Sequence, residues 1–161
     1  MKPLGPRTLI LSAIILSLST ANVGHTDEPT GADYREVMLA LAGEWSMDAG
    51  AATGTLTAKL GSAGRCLVSS VTLPNVLSGD ILECYDAELK AWKKIYFWSH
   101  GGTTTLVLKL QNQEAAGTRT LEGTSRDVDA SGAISTTPVK YSILNKDRWE
   151  IQREDGTRAV V

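Results

Sequence analysis

The chain has 161 residues, of which 42% are hydrophobic and 21% charged, and its formal net charge at pH 7 is −2. This length suits a single domain with a substantial core. The basic residues are scattered along the sequence, with only Lys93 and Lys94 adjacent. We therefore expect neither nucleic acid nor an anionic membrane surface as a partner, because both are recognised by clustered basic charge.

The first 21 residues have the three parts of a secretory signal peptide. Lys2 and Arg7 carry positive charge, residues 9–18 are an uncharged apolar run, and Ala21 is a small residue suited to a cleavage site. The apolar run has only about half of the ~20 residues that a membrane-spanning helix needs. The sequence therefore predicts cleavage after Ala21, no membrane span in the mature chain, and export to the periplasm or the outside of the cell. An uncleaved membrane anchor is the alternative.

Residues 22–32 are polar and rich in turn formers, which predicts a flexible lead after cleavage. A helix is predicted over 33–42, because Asp33 and Glu36 have capping-box spacing and Gly43 is a natural end. One face of this helix is apolar. That face carries Val37, Met38 and Leu41.

After the helix, short extended runs alternate with turn-forming residues at intervals of about ten residues, and no second long helical pattern occurs. Regularly spaced short strands of this kind predict an all-β, antiparallel up-and-down barrel or half-barrel of eight to nine strands. We expect it to form one domain over residues 33–161. The predicted strands cover 43–48, 53–60, 65–73, 79–86, 90–99, 103–111, 118–126, 133–144 and 147–154.

The sequence contains two cysteines, Cys66 and Cys84. An even number in an oxidising compartment favours a disulfide. If the flanking segments form a hairpin around residues 74–76, the two cysteines lie directly opposite each other. Cross-strand neighbours are close enough to bridge at a non-hydrogen-bonded pair. We therefore predict a Cys66–Cys84 disulfide, with two buried free thiols as the alternative.

The predicted strand over 90–99 is apolar on both faces near its end. Trp92, Tyr96 and Trp98 share one parity, whereas Ile95 and Phe97 share the other. Aromatic side chains are usually structural. We expect the inner set to pack in the core and the outer set to meet the helix or a partner.

The segment Leu41–Trp45 reads L-x-G-x-W after a helix, and it resembles the opening of lipocalin-like (calycin) barrels. The resemblance implies that Trp45 closes one end of the barrel. It also implies that this indole packs against a basic residue from a late strand. Arg148, Arg153 and Arg158 are the candidates, and the sequence does not choose among them.

An ordered set of motifs over residues 38–156 is similar to an uncharacterised family of secreted bacterial proteins, a domain of unknown function. The resemblance implies a lipocalin-like fold rather than a reaction. Its motifs here are Gly64–Leu67, Tyr85–Trp92, Thr120–Gly123 and Trp149–Gly156.

Haem proteins called nitrobindins open with the same L-x-G-x-W motif and hold haem through a histidine near the C-terminus. This sequence has no histidine after His100, so that ligand is missing and haem is not expected. We expect no cofactor.

No catalytic or metal signature stands out. His25 lies in the lead, and His100 precedes two glycines that predict a hairpin turn rather than an esterase oxyanion loop, since no G-x-S-x-G elbow accompanies it. The segment Asp127–Gly132 lacks the later ligands of a calcium loop and is interpreted as a turn. Two histidines and two paired cysteines do not make a zinc set, so no metal is predicted.

Three carboxylates could point into the barrel, which keeps an enzyme of unknown reaction as a low-ranking alternative. They are Asp80, Glu83 and Glu122. The sequence offers no nucleophile–base pair to accompany them.

The leading hypothesis is an exported, non-catalytic protein that binds a small apolar or amphipathic molecule inside its barrel. The alternative is a protein-interaction or inhibitor module of the envelope, which would use the aromatic strand over 90–99. The residues predicted to line or close the binding space are Trp45, Tyr85, Trp92, Tyr96, Trp98 and Leu108.

Overall fold

In the computed structural model, which describes residues 28–50, 52–61, 63–111, 118–145 and 147–161, the chain forms a closed antiparallel barrel with one helix. Each strand pairs with its neighbours in sequence, and the last strand pairs with the first. The elements are α1 (Gly31–Leu41), β1 (Gly43–Asp48), β2 (Thr53–Leu60), β3 (Cys66–Leu73), β4 (Leu77–Asp86), β5 (Ala91–Trp98), β6 (Thr103–Leu110), β7 (Arg119–Val128), β8 (Ile134–Asn145), β9 (Arg148–Arg153) and β10 (Arg158–Val160).

The described part of the barrel has ten strands, so the predicted number of eight to nine is wrong, and the sheet is closed rather than a half-barrel. The strand that the sequence did not reveal is β10, whose three residues are too few to show an alternating pattern. Ala159 in β10 lies opposite Ile151 in β9, and Val160 lies opposite Asp48 in β1. This short strand therefore closes the barrel.

Helix α1 begins two residues before its predicted start, and its capping pair is not the predicted one. The Asp33 carboxylate accepts hydrogen bonds from both the backbone N–H and the hydroxyl of Thr30, each at 2.7 Å. The pair Thr30–Asp33 has the same spacing as Asp33–Glu36 and supplies the hydroxyl that a capping box prefers. Residues 31 and 32 of the predicted lead are consequently helical, while the predicted signal peptide and His25 lie outside the described residues.

Helix α1 covers one end of the barrel. Its buried side chains are those of the predicted apolar face together with Tyr34. The Tyr34 hydroxyl accepts a hydrogen bond from the Leu110 N–H (2.8 Å) and donates one to the Lys90 carbonyl (3.2 Å). The helix is thereby fixed to the end of β6 and to the β4–β5 turn. Within the part of the chain that the structure describes, no helix has the length and hydropathy of a membrane span.

The Cys66–Cys84 disulfide is confirmed, and the predicted hairpin register is the observed one. The two Cα atoms are 4.4 Å apart, which is the spacing of a non-hydrogen-bonded pair. The turn over residues 74–76 has Asn75 at φ 60°, a left-handed conformation that asparagine tolerates. Leu67 and Glu83, the neighbours of the cysteines in β3 and β4, point into the barrel, so the disulfide lies on its outer face.

Candidate functional site

The end of the barrel remote from α1 contains a cavity of about 200 Å³. Its walls are the inward side chains of the strand halves remote from α1, together with residues from the loops at this end. Most of these side chains are apolar. The lining residues are Met47, Ala49, Leu56, Val71, Leu73, Leu77, Ile81, Tyr96, Trp98, Thr104, Leu106, Val139, Trp149, Ile151, Arg153, Thr157 and Ala159.

A hydrogen-bonded network of polar side chains lies at the cavity mouth. The Trp98 indole N–H donates to the Thr104 hydroxyl (2.9 Å), which donates to the Asp127 carboxylate (2.6 Å). The Arg153 guanidinium donates to the same carboxylate at 2.6 Å. Burial alone would raise the pKa of Asp127, but the hydrogen bonds from Arg153 and Thr104 outweigh it and the pKa is lowered. The rim is therefore charged, internally paired and fixed in geometry.

Gly79 allows Trp98 to lie across the wall of the cavity. A Cβ atom at this glycine would lie 2.7 Å from the Trp98 ring and 2.8 Å from the Phe97 carbonyl oxygen. The Trp98 ring also stacks on Tyr96, with centroids 5.0 Å apart. Any larger residue at position 79 would have to displace the indole from this position.

A fully buried ion pair lies further inside the barrel. Lys94 Nζ is 3.1 Å from Glu83 Oε2, and the two side chains are 1% and 3% exposed. The second Glu83 oxygen accepts a hydrogen bond from the Ser69 hydroxyl at 3.2 Å. The two charges neutralise each other, so the barrel interior holds a strong local dipole but no net charge.

Four aromatic rings surround the Lys94 ammonium at centroid distances of 4.5 to 5.6 Å. They belong to Trp92, Tyr96, Tyr141 and Trp149. The Tyr141 hydroxyl also accepts a hydrogen bond from Nζ at 2.6 Å. These contacts replace the water that a buried ammonium loses.

The environment favours the protonated lysine and the neutral phenol. Burial by itself would lower the pKa of Lys94, but the Glu83 charge and Tyr96 outweigh it, and the pKa is raised. Burial raises the pKa of Tyr141 well above its usual value, with Tyr96 and Glu83 acting in the same direction. Because a protonated amine has no lone pair, Lys94 is placed as a charge and hydrogen-bond donor and not as a nucleophile.

Of the six residues predicted to line or close the binding space, the structure brings Tyr96 and Trp98 to the cavity. Trp92 and Leu108 are 0% exposed and form the packed interior towards the helix. Tyr85 stacks on Tyr34 of α1 at 4.9 Å. Trp45, partly buried, contacts Trp149 edge-on at 6.5 Å.

Trp45 does lie at the helix-covered end, where its indole N–H donates to the Leu41 carbonyl at 3.0 Å. The three candidate arginines form ion pairs with carboxylates. Arg148 and Arg158 both contact Glu150, and Arg153 contacts Asp127 and Asp155. The ring that the structure places against Trp45 is Trp149.

Of the three carboxylates that could point into the barrel, Glu83 does so, whereas Asp80 and Glu122 are exposed. The positions of those two alternate with the inward ones on β4 and β7, which places them on the outer face. Sequence reasoning missed Lys94, although it has the same parity as Trp92 and Tyr96. That shared parity was the available signal.

His100 lies in a turn, as predicted, and so do residues 129–132, whereas Asp127 and Val128 of the second predicted turn belong to strand β7. His100 is exposed in the β5–β6 turn, where the Trp98 N–H donates to the Gly102 carbonyl at 3.0 Å. Asp129 accepts hydrogen bonds from the backbone N–H groups of Ser131 and Ala133 (2.8 and 2.9 Å), closing the β7–β8 turn. Among the described residues, no group of three or more His, Cys, Asp and Glu side chains is placed to hold a metal ion.

Fold and site together define the class of protein: a closed antiparallel β-barrel with a helix over one end, an apolar cavity at the other and a buried ion pair between them. Comparisons with protein-family models, with curated proteins and with solved structures found no match to this chain.

Proposed function

We propose that this protein binds a small, mainly apolar molecule in the open end of its barrel, without catalysing a reaction. The observation that carries the proposal is the apolar cavity of about 200 Å³. An apolar cavity of about 150 Å³ is enough to hold benzene. Pockets for drug-sized ligands measure roughly 300–1,000 Å³, so the ligand is a single ring or a short branched chain.

The chemistry of the interior favours binding over catalysis. Behind the cavity-lining ring of Tyr96 lie Lys94 and Glu83, which neutralise each other and are fully buried. A protonated lysine held by a carboxylate offers neither a free base nor a nucleophile.

Export belongs to the same proposal. The N-terminal residues have the pattern of a signal peptide, and disulfides persist in oxidising compartments. We propose that the mature domain, a lipocalin-like carrier, works in the periplasm or outside the cell.

The test measures the binding of two one-ring hydrocarbons, toluene and α-methylstyrene. Binding is detected by thermal shift and by tryptophan fluorescence. Affinity on the order of 0.1 mM is expected for a ligand of this size. Val71→Phe, which adds a ring to the cavity wall, should abolish binding. Val68→Phe is the matched control, because it makes the same change on the outer face of β3, where Val68 is 54% exposed.

Binding that survives in Val71→Phe would show that the hydrocarbons occupy another place on the protein. A wild-type protein indifferent to both hydrocarbons up to their solubility limit would refute the proposal.

A second candidate function is contact with another protein through the outer face of β3, β4 and β5. An apolar row crosses these strands, with Val68 opposite Leu82 and Leu82 opposite Ile95, and Phe97 beside it. Val68, Leu82 and Phe97 are 54%, 41% and 53% exposed. Trp92, on the same strand, is 0% exposed and cannot take part in such a contact.

The occupant that the charges favour is a second copy of the chain. A two-fold axis along the apolar row would bring Asp80 of one copy beside Lys93 of the other, since these residues flank the row on opposite sides. Sedimentation velocity should then detect a dimer that Leu82→Ser weakens at least about tenfold, as expected for loss of a central apolar contact. A monomer at 0.1 mM wild-type protein would exclude this candidate.

A further inference from the structure

The hydrogen bonds between Lys94, Tyr141 and Tyr96 have a direction that can be worked out from their chemistry. The ammonium group has three N–H donors and no acceptor, so the Tyr141 oxygen accepts from Lys94 at 2.6 Å. The Tyr141 and Tyr96 oxygens are 3.3 Å apart. Tyr141 is 0% exposed and has no other acceptor among the described residues, whereas Tyr96 lines the cavity, so we assign the Tyr141 hydroxyl as the donor to the Tyr96 oxygen.

That direction leaves the hydroxyl proton of Tyr96 without an acceptor in the described part of the chain. Tyr96 is 8% exposed, and a buried hydroxyl proton is rarely left unpaired. The same side chain lines the apolar cavity. The acceptor for this proton is therefore either a water molecule or an atom of a ligand in the cavity.

We propose that the cavity binds a neutral molecule with an apolar body and one oxygen acceptor, a carbonyl group, at its inner end, which accepts a hydrogen bond from Tyr96. This inference rests on the proposed function and narrows its ligand class. The acceptor is neutral because Glu83 already balances the Lys94 charge. An added carboxylate would be a second buried anion without its own cation, which is strongly unfavourable.

The chain of donors makes Tyr96 a good partner for a carbonyl. Each hydroxyl that accepts a hydrogen bond becomes a stronger donor, and the chain starts at a full positive charge. The Tyr96 ring is fixed by stacking on Trp98, so the hydroxyl is oriented before the ligand arrives.

The experiment compares three one-ring probes of nearly equal shape. Acetophenone carries the carbonyl, α-methylstyrene replaces its oxygen with CH₂, and benzoate replaces the methyl ketone with a carboxylate. Each dissociation constant is measured for wild type and for Tyr96→Phe, which removes the hydroxyl and keeps the ring. The hydrocarbon serves as an internal control for folding and cavity shape.

We expect Tyr96→Phe to raise the dissociation constant of acetophenone about fivefold, the effect of losing one net hydrogen bond. The dissociation constant of α-methylstyrene should change by less than about twofold. Benzoate should not bind. Infrared spectroscopy should show the carbonyl stretch of bound acetophenone at a lower frequency in wild type than in hexane. This measurement on the wild type stands even if the variant fails to fold.

Equal effects of Tyr96→Phe on acetophenone and α-methylstyrene, or a hexane-like carbonyl frequency, would overturn the inference and leave apolar binding intact. In that case a water molecule accepts the Tyr96 proton. Tighter binding of benzoate than of acetophenone would overturn it as well. If neither neutral probe binds the wild type, the proposed function fails together with the inference.

Discussion

Replacement of Lys94 by methionine tests the energetic role of the buried ion pair. Methionine keeps an unbranched apolar stem among the four aromatic rings but removes the charge. Glu83 then keeps its hydrogen bond from Ser69 and loses the cation that lies 3.1 Å away. Removing one partner of a buried pair costs about 3–5 kcal/mol. That is a large part of the ~5–15 kcal/mol that stabilises an ordinary domain.

The double replacement Lys94→Met with Glu83→Leu distinguishes the effect of the two charges from the effect of the side-chain volume, because it removes the charges and keeps the volume. It removes both ions and leaves apolar groups of similar volume, which is often neutral or stabilising. We expect its free energy of unfolding to lie within about 1 kcal/mol of wild type, far from the sum of two single losses.

Urea unfolding followed by tryptophan fluorescence, with the disulfide kept oxidised, measures these differences. Lys140→Met is the matched control, because it removes a surface pair with Glu122 at 3.4 Å whose side chains are 44% and 49% exposed. A surface pair of this kind is worth about 0–1 kcal/mol. The reasoning is refuted if Lys94→Met costs no more than Lys140→Met, or if the double variant is as unstable as the single losses predict.

Three further predictions concern alkaline pH, the rim and the disulfide. The pKa values of Lys94 and Tyr141 are both raised, so their stabilisation is complete below the unfolded values near about 10 and is lost as pH rises through the folded values. The melting temperature of wild type should fall above that pH more steeply than that of Lys94→Met/Glu83→Leu, and parallel curves would contradict this. Gly79→Ala should cost about 1–3 kcal/mol, because its Cβ displaces the Trp98 ring, and should change the near-ultraviolet circular dichroism of that indole; an unchanged spectrum would refute it. Replacing Cys66 and Cys84 with alanine should lower the free energy of unfolding by about 3 kcal/mol, from the 18-residue separation they close, and an unchanged urea midpoint would argue against it.

The parts of the fold that could be predicted depend on local pattern. The register of β3 and β4 followed from the position of a tight turn and two cysteines, because antiparallel pairing fixes every opposite pair once the turn is placed. Strand β10 could not be predicted in this way, because three residues are too few to show the alternation of inward and outward side chains. Its existence depends on its pairing with β9 and with Asp48 of β1, and those contacts are non-local.

The candidate site divides in the same way. Tyr96 and Trp98 were predicted from the alternation of β5, and the structure places both in the cavity wall. Lys94 was not predicted, although it alternates with them, because a lysine is almost never fully buried without a partner. Its partner Glu83 lies on the adjacent strand and Tyr141 on the opposite wall, and only the closed barrel brings them to one ammonium group.

The ion pair lies between a packed end of the barrel and an open end that contains the cavity. Towards α1 the interior is filled by Trp92 and Leu108, both 0% exposed, and by the side chains of the helix. Replacing a buried ion pair with apolar side chains of similar volume is often neutral or stabilising, so stability alone does not explain Lys94. A buried cation does orient the hydroxyls that bond to it, from Tyr141 to Tyr96. The pair therefore converts one wall of an apolar cavity into a directed hydrogen-bond donor, which is the feature that a ligand with a single acceptor can recognise.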